Sequence, residues 1–240
     1  LSSNQENNHK KKITNLPGAE FNINPLTVGE LDEAIRKRIS IIQTEFKNGF
    51  DFIKRYPKTI TFFGSARISS ANPHYKKAQN LAKLLARKNY AIVTGGGPGI
   101  MEAANRGALE AGGQSLGLTI ELPNEQTTNQ YLTDQVGFYY FFIRKVCLSF
   151  SAEAFVYFPG GFGTLDEFFE IVTLIQTNKI PPVPIILVGE DYWQPLSEYI
   201  KKHLYETHQS IAKADMTLYK ILDDEEAIVN LISNNPVRIG

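Results

Sequence analysis

The sequence predicts an α/β protein: a Rossmann-like, doubly wound parallel sheet with helices on both faces and an N-terminal helical extension. Three observations carry that expectation. From Lys58 onward, short apolar runs alternate with longer segments of helical period, the order expected of βαβ units. The short runs are mostly apolar rather than alternating, as expected for strands covered on both faces. Three of them end in small, flexible residues: Gly64-Ser65, Gly95-Gly96-Gly97 and Gly160-Gly161. A parallel sheet opens all three on one edge, where such folds bind ligands near a topological switch point.

Residues 1–25 read as a polar tail, 26–56 as one long helix and 57–240 as a single domain. Within Thr27–Arg55, Leu31, Ile35, Ile39, Ile42, Phe46 and Phe50 recur at steps of three and four, and Thr27 with Glu30 fits a capping box. This helix is expected to pack on the alternating part as an appendage. Strands follow at Thr59–Phe63, Tyr90–Thr94, Ser115–Ile120, Ala154–Phe158 and Pro184–Val188. Helices are expected at Tyr75–Lys88, Gly99–Ala111, Phe141–Phe150, Thr164–Thr177, Tyr192–Glu206 and Asp223–Ile232. No internal repeat or low-complexity segment interrupts the series.

Composition excludes several function classes. The 25 basic and 25 acidic side chains cancel, so no general attraction to nucleic acid or an anionic membrane is expected. No apolar run approaches the roughly 20 residues needed to span a bilayer. The first eight residues, polar and beginning with Leu1 rather than Met, show no signal-peptide pattern. Cys147 is the one cysteine, which rules out an intrachain disulfide and fits a reducing, cytoplasmic setting; in its apolar helix it reads as an inert core thiol. The histidines are His9, His74, His203 and His208; only the last two are near in sequence, at a spacing poor for one helical face, so no metal site is expected.

The chemistry concentrates in Pro159-Gly160-Gly161-Phe162-Gly163-Thr164-Leu165-Asp166-Glu167. A strand that stops at glycines and restarts as a helix presents free N–H groups to an anion. Thr164 can cap that helix or donate to a phosphate. Asp166 and Glu167 fall in its expected first turn, where the helix dipole alone would account for carboxylates; Glu170 continues that face and reads as structural. The earlier loop, Thr94-Gly95-Gly96-Gly97-Pro98-Gly99-Ile100-Met101-Glu102, holds four glycines in five positions, more than a tight turn needs. It is neither a Walker A loop nor a dinucleotide fingerprint, which disfavours NTP hydrolysis and nicotinamide redox chemistry. No Gly-x-Ser-x-Gly elbow is present, which disfavours a serine hydrolase of that type. Arg144-Lys145 follow the aromatic run Phe138-Tyr139-Tyr140-Phe141-Phe142. A solvated helix edge explains them simply, but a buried Arg144 needs an anionic partner, and Glu167 or a phosphate would serve. Gly64-Ser65-Ala66-Arg67 offers a hydroxyl and a cation, or merely a turn with a helix cap.

Taken in order, Gly64-Ser65, the triple-glycine loop with Pro98 to Glu102, Arg144-Lys145 and the Pro-Gly-Gly-x-Gly-Thr-x-x-Glu run resemble the Lonely Guy (LOG) family. These are cytokinin riboside 5'-monophosphate phosphoribohydrolases, related to bacterial nucleotide nucleosidases and long described as lysine decarboxylases. The resemblance spans about residues 58–206. It implies that Arg144 and Glu167, 23 residues apart, fall on the family's essential arginine and glutamate. It also implies a phosphate loop at Gly160, Gly161, Gly163 and Thr164 and a further ligand contact at Thr173. Gly64, Ser65, Thr94, Gly95, Gly96, Gly97, Gly99, Met101 and Lys145 complete the expected substrate-binding set. Shorter family members have Met-His-Glu where this chain has Phe141-Phe142-Ile143, as in a longer, mostly bacterial branch, and the preferred base stays open. Glu121 and Glu125 are alternative candidates for a ribose or base contact.

The resemblance implies hydrolysis of the N-glycosidic bond of a nucleoside 5'-monophosphate, AMP or a cytokinin riboside monophosphate, to free base and ribose 5-phosphate. Neither metal nor redox cofactor is needed, and assembly as a homodimer or higher homo-oligomer is implied. The alternative is a nucleotide or molybdenum-cofactor carrier with a similar fold and no catalysis. Lysine decarboxylation is a weaker rival, because only Lys145 stands out as a lysine to hold pyridoxal.

Overall fold

The computed structural model describes residues 28–120 and 128–235. The tail, Thr27 of the expected capping box, His9, and Glu121 and Glu125 lie outside the described residues. The chain falls into two compact units, Leu1–Thr44 and Glu45–Gly240. Helix α1 (Val28–Ile53) contributes to both. In the first unit, Leu31, Ile35 and Ile39 of its apolar stripe are exposed. The strands and the helices after α1 all belong to the second unit.

Among the described residues seven strands form one sheet in which every pairing is parallel, in the order β4-β3-β2-β1-β5-β6-β7. β1 (Thr59–Phe63), β2 (Ala91–Thr94) and β3 (Ser115–Ile120) are short apolar runs of the kind expected. β5 (Ala152–Tyr157) starts two residues before its apolar run, and its register against β1 slips by one residue between Thr59 and Ile60. β6 is Ile185–Leu187. Two strands carry no sequence signal. β4 (Asp134–Phe138) is an edge strand that alternates exposed and covered residues and includes Gly137; β7 (Lys220–Ile221) has only two residues. A one-sided edge does not need the continuous apolar run that marks the sheet's interior.

Helices cover both faces. On one, α2 (Pro73–Arg87), α3 (Ile100–Glu110) and α7 (Glu225–Ser233) bury Leu81, Leu85, Ile100, Ala104 and Ile228 against Ile60, Phe62, Ile92 and Val156. Asn72 caps α2 by accepting the His74 N–H at 2.8 Å, with Pro73 opening the helix. On the other face, Phe168 of α5 (Phe162–Gln176) meets Tyr157 of β5 and Trp193 of α6 (Glu190–Tyr199). The last turns of α1 pack there too: Phe52 is buried, and a Cβ at Gly49 would press on Cys147 Sγ and Phe138. Cys147 lies in α4 (Phe141–Ser151), and its burial there pushes the thiol up to about 12, which keeps it inert.

Two boundaries differ in ways that matter. The helix expected over Tyr192–Glu206 is α6 followed by a π-helical stretch, Ile200–Thr207. Helix α5 begins at Phe162 rather than Thr164, with Gly161 as its N-cap. Asp166 and Glu167 are therefore in its second turn, where the dipole does little for a carboxylate, and Thr164 is inside the helix rather than capping it.

Candidate active site

From β1 the chain works outward through β2 and β3 to β4, then returns to lay β5 on the other side of β1. The switch point is the crevice between the carboxyl ends of β1 and β5, where ligands bind in open parallel sheets. Three loops meet there and are bonded to one another. Ser65 N donates to the Pro159 carbonyl at 3.0 Å, and Ile100 N donates to the Ser65 carbonyl at 3.1 Å. A Cβ at Gly64 would stand 2.7 Å from the Ile100 side chain, and one at Gly99 would overlap the Ser65 carbonyl oxygen. Gly99 also holds φ +70°, a conformation side chains resist. Ser65 Oγ is occupied locally, accepting from Arg67 N at 3.1 Å.

The Gly95–Gly99 loop rests on a buried polar network. Thr94 Oγ1 accepts from Gly96 N at 2.9 Å and donates to Asn105 Oδ1 at 2.6 Å. Asn105 Nδ2 donates to Ser115 Oγ at 2.9 Å. Asn129 Nδ2 donates to the Gly97 carbonyl and to Asn105 Oδ1, and its backbone N–H to the Gly96 carbonyl. Thr94 is fully buried beneath the loop, so its side chain supports the turn instead of facing a ligand. Asn105 and Asn129 escaped the sequence reading; the one hint was a polar residue at Asn105 amid the alanines of an apolar helix face.

The Gly160–Gly163 loop is open by contrast. Apart from chain neighbours and the helix's own backbone, no atom of the described residues lies within 4 Å of where a Cβ at Gly161 or Gly163 would stand. Gly161 supplies no side-chain cap to α5, and the first bond inside the helix is Leu165 N to the Gly161 carbonyl. The N–H groups of Phe162, Gly163 and Thr164 are thus left without an acceptor inside the helix. Gly160 has no such room: a Cβ there would overlap Thr164 Oγ1, and its carbonyl accepts the Tyr192 hydroxyl at 2.7 Å.

Helix α4 brings Arg144 to this edge. Its Nε donates to the Leu118 carbonyl at 2.9 Å, and a Cβ at Gly95 would overlap its guanidinium and press on Met101 Sδ. Gly95, Met101 and Arg144 are therefore neighbours. Burial pulls the guanidinium below its ordinary value, while the charge of Glu167 acts in the opposite sense; it stays a cation at neutral pH. Glu167 comes from α5. Its Oε2 is buried and has no hydrogen-bond partner among the described residues. Burial raises this carboxyl from its ordinary 4.5 to about 7, against the opposing charges of Arg144 and Lys145. A half-protonated carboxyl beside a fixed cation, next to a helix N-terminus, can accept a proton, steady a cationic carbon, or both.

Lys145 faces elsewhere. Its Nζ lies 2.8 Å from Asp166 Oδ2 and 3.1 Å from Glu170 Oε2, tying α4 to α5. Burial disfavours its charge, yet these two carboxylates outweigh burial and raise it. Thr173 stands apart: it is exposed, six residues beyond Glu167, about 9 Å along the helix axis. Its carbonyl accepts the Thr177 N–H and hydroxyl. His203, on the π-helical stretch, packs its ring against Tyr199. Among the described residues no group of three or more His, Cys, Asp or Glu could hold a metal ion.

A family model described as "Possible lysine decarboxylase" matches residues 101–232, more than half of the chain. The chain belongs to this family. It is the family that the glycine loops and the Arg144-Lys145 pair resemble under the name LOG. The cytokinin riboside 5'-monophosphate phosphoribohydrolase of Rhodococcoides fascians is 28% identical over 150 residues, covering 60% of this chain and 75% of that one. Among solved structures, the X-ray structure of TM1055 covers 74% of this chain and 99% of its own, with a TM-score of 0.55 and 23% identity. The molybdenum cofactor carrier protein of Chlamydomonas reinhardtii covers 73% of this chain and 96% of its own, with a TM-score of 0.55 and 19% identity. These two likenesses concern the fold. The relatives' names support nucleotide hydrolysis as the activity of the family.

Proposed function

We propose that this LOG-family member hydrolyses the N-glycosidic bond of a nucleoside 5'-monophosphate, releasing free base and ribose 5-phosphate. The observation that carries the reading is Glu167: a buried carboxyl raised to about 7, one oxygen unpartnered, beside Arg144 and a helix N-terminus with open space over its glycines. A carrier would need the open N-terminus but has no use for a costly buried carboxyl next to it.

In this mechanism the N–H groups of Phe162, Gly163 and Thr164 hold the 5'-phosphate. That contact is remote from the reacting carbon and serves orientation. The bond from C1' to the base nitrogen breaks toward an oxocarbenium-like state, as in glycoside cleavage. Ionised Glu167 stabilises the charge on C1' and takes a proton from the attacking water. The water oxygen bonds to C1', the C1'–N bonding pair leaves with the base, and Glu167 passes the proton it took from water to that base nitrogen, which restores the carboxylate. Arg144, anchored on Leu118, fixes the nucleotide and holds Glu167 in place electrostatically. Lys145, the lysine a pyridoxal reaction would require, is bound to Asp166 and Glu170 and contributes by setting α4 against α5.

The chain is further proposed to self-associate through the outward face of α4. Phe141 and Val146 are exposed there, and Phe142 and Phe150, though each touches a ring of α1, remain about half exposed beside them; such a patch is unusual on a monomer. Light scattering of the parent and of a Phe141→Ser, Val146→Ser variant tests this; equal masses refute it.

The function is tested by incubating the protein with AMP, other nucleoside monophosphates and isopentenyladenosine monophosphate, and resolving the products by chromatography beside Glu167→Gln. Release of base by the parent alone supports the reading and ranks the bases. Tight nucleotide binding without release by either protein replaces it with a carrier.

A further inference from the structure

Helix α4, which bears Arg144, has no cap of its own. Tyr140 sits at its N-cap with no side-chain hydrogen bond, and no acidic residue occupies its first turn. The acceptors come from α1 instead. Glu45 Oε1 accepts the Tyr139 N–H at 2.8 Å, and Glu45 Oε2 accepts the Tyr140 N–H at 3.2 Å. The two partners are 94 and 95 residues away in sequence. One carboxylate thereby takes two backbone donors at the positive end of a helix, an arrangement that both hydrogen bonding and the helix dipole favour.

The contact continues along both helices. Phe46 meets Phe142 with ring centroids 6.3 Å apart, and Phe50 meets Phe150 edge-on at 5.1 Å. Gly49 fits against Cys147 with no room for a Cβ. Glu45 lies at the end of this seam that is nearest the site. Arg144 is one turn into α4, its N–H bonded to the Tyr140 carbonyl at 3.2 Å, so the residue whose N–H Glu45 holds is also the one whose carbonyl closes the Arg144 turn. From there Arg144 reaches Leu118 and the rim of Gly95.

We infer that Glu45 is a positioning residue for Arg144: its carboxylate fixes the start of α4 and so the placement of the guanidinium. This rests on the proposed role of Arg144 in holding the nucleotide. Glu45 precedes the segment that the family model matches, so α1 supplies to the site something the matched segment does not contain. Glu45 itself touches no reacting atom in this scheme.

The experiment compares Glu45→Ala and Glu45→Gln with the parent, alone and combined with Arg144→Ala. Two readouts are needed. The first requires no activity: amide exchange at Tyr139 and Tyr140, and the Arg144 Nε–H resonance, followed by NMR. Faster exchange at both amides and loss of the protected Nε–H in Glu45→Ala are expected, with Glu45→Gln intermediate because it keeps one oxygen acceptor. The second is AMP affinity together with kcat and KM. A loss of about tenfold to a hundredfold in kcat/KM is expected for Glu45→Ala, the scale of a small misplacement in a site. That loss should vanish when Arg144 is already Ala, since the effect runs through it. An unchanged Arg144 Nε–H resonance overturns the inference, as does an equal loss in both backgrounds. If the parent releases no base, the hydrolase reading fails while the NMR comparison still decides the role of Glu45. Should Glu45→Ala fail to fold, Glu45→Gln carries both readouts.

Discussion

The two glycine loops at the sheet edge are alike in composition and opposite in the space around them. A Cβ at Gly95 would overlap the Arg144 guanidinium, at Gly96 it would crowd the Thr119 methyl group, and at Gly99 it would overlap the Ser65 carbonyl oxygen. At Gly161 and Gly163 it would meet nothing within 4 Å. The first loop uses glycine so that the protein can approach itself: β1, α3 and Arg144 all close on it, and the Thr94–Asn105–Asn129 network supports it from below. The second uses glycine and leaves the space empty, beside three uncommitted N–H groups and an unpartnered carboxyl. Counting glycines does not distinguish a scaffold from a seat. Their surroundings do, and the proposed anion seat is accordingly at α5 rather than α3.

The sharpest way to break this comparison is at Glu167, because it is the chemistry that the open loop is argued to serve. Glu167→Gln is expected to lower kcat by about a hundredfold to ten-thousandfold, the usual worth of a positioned acid or base. The parent's kcat/KM should rise with pH through about 7 and level off above it, since the working form is the carboxylate. Stability should move the other way. The folded carboxyl titrates near 7 and the unfolded one near its ordinary 4.5, so between those values the folded state holds the extra proton. The resulting stabilisation is complete below about 4.5 and is lost as pH rises through 7. Glu167→Gln has no charge to bury, so at pH 8 it should be more stable than the parent by about 1–2 kcal/mol, a few degrees in Tm, and show little difference at pH 4.5. A variant that is inactive but no more stable at pH 8 would detach the catalytic role from the buried charge.

Next in size is the closed loop. Gly99→Ala would place a methyl group against the Ser65 backbone at a φ of +70°, and is expected to cost about 2–4 kcal/mol of folding stability. Denaturant unfolding measures it. A near-neutral result would mean that this loop yields easily and is not the rigid partner of the pair.

These contrasts show which parts of the molecule could be read from its sequence. β1 and β3 have the ends that the sequence indicates: β1 is buried along its whole length and β3 over its first four residues, so small and apolar side chains mark both. β4 could not be read, since an edge strand containing Asp134, Gln135 and Gly137 resembles a loop. The glycine signature located the crevice, but not the direction of Thr94, whose hydroxyl turns down into the fold. Arg144 and Lys145 are adjacent, and both were expected at the substrate, Arg144 as the essential arginine and Lys145 as a binding residue. On a helix consecutive residues point about 100° apart, and one reaches Leu118 while the other reaches Asp166 and Glu170. Asn129 and Glu45 left no trace, since their partners lie 24 to 95 residues away and only the tertiary fold brings them together.

A smaller change sharpens the comparison from the open side. Gly163 is in the first turn of α5, where alanine is the better helix former and nothing obstructs its methyl group. Gly163→Ala should therefore stabilise the protein by about 0.5–1 kcal/mol. It should also weaken AMP binding by roughly tenfold, because the methyl group enters the space assigned to the phosphate. Higher Tm with unchanged AMP affinity, read from thermal melts and a titration, would mean that the phosphate sits elsewhere.

The smallest expected effect is at Lys145. Its partner Asp166 is largely exposed, and ion pairs of that kind contribute about 0–1 kcal/mol, so Lys145→Ala should barely alter stability. Its charge still reaches Glu167, where it acts with Arg144 to hold the carboxyl down against burial. Removing it should move the ascending limb of the pH–rate profile to higher pH while the plateau changes little. Glu170, relieved of its cation, adds to the same shift through its repulsion of Glu167. A lowered plateau with no displacement of the limb would make Lys145 a ligand contact. A displaced limb at constant plateau would place it outside the reacting centre, as a residue that tunes Glu167 from the adjacent face of α4.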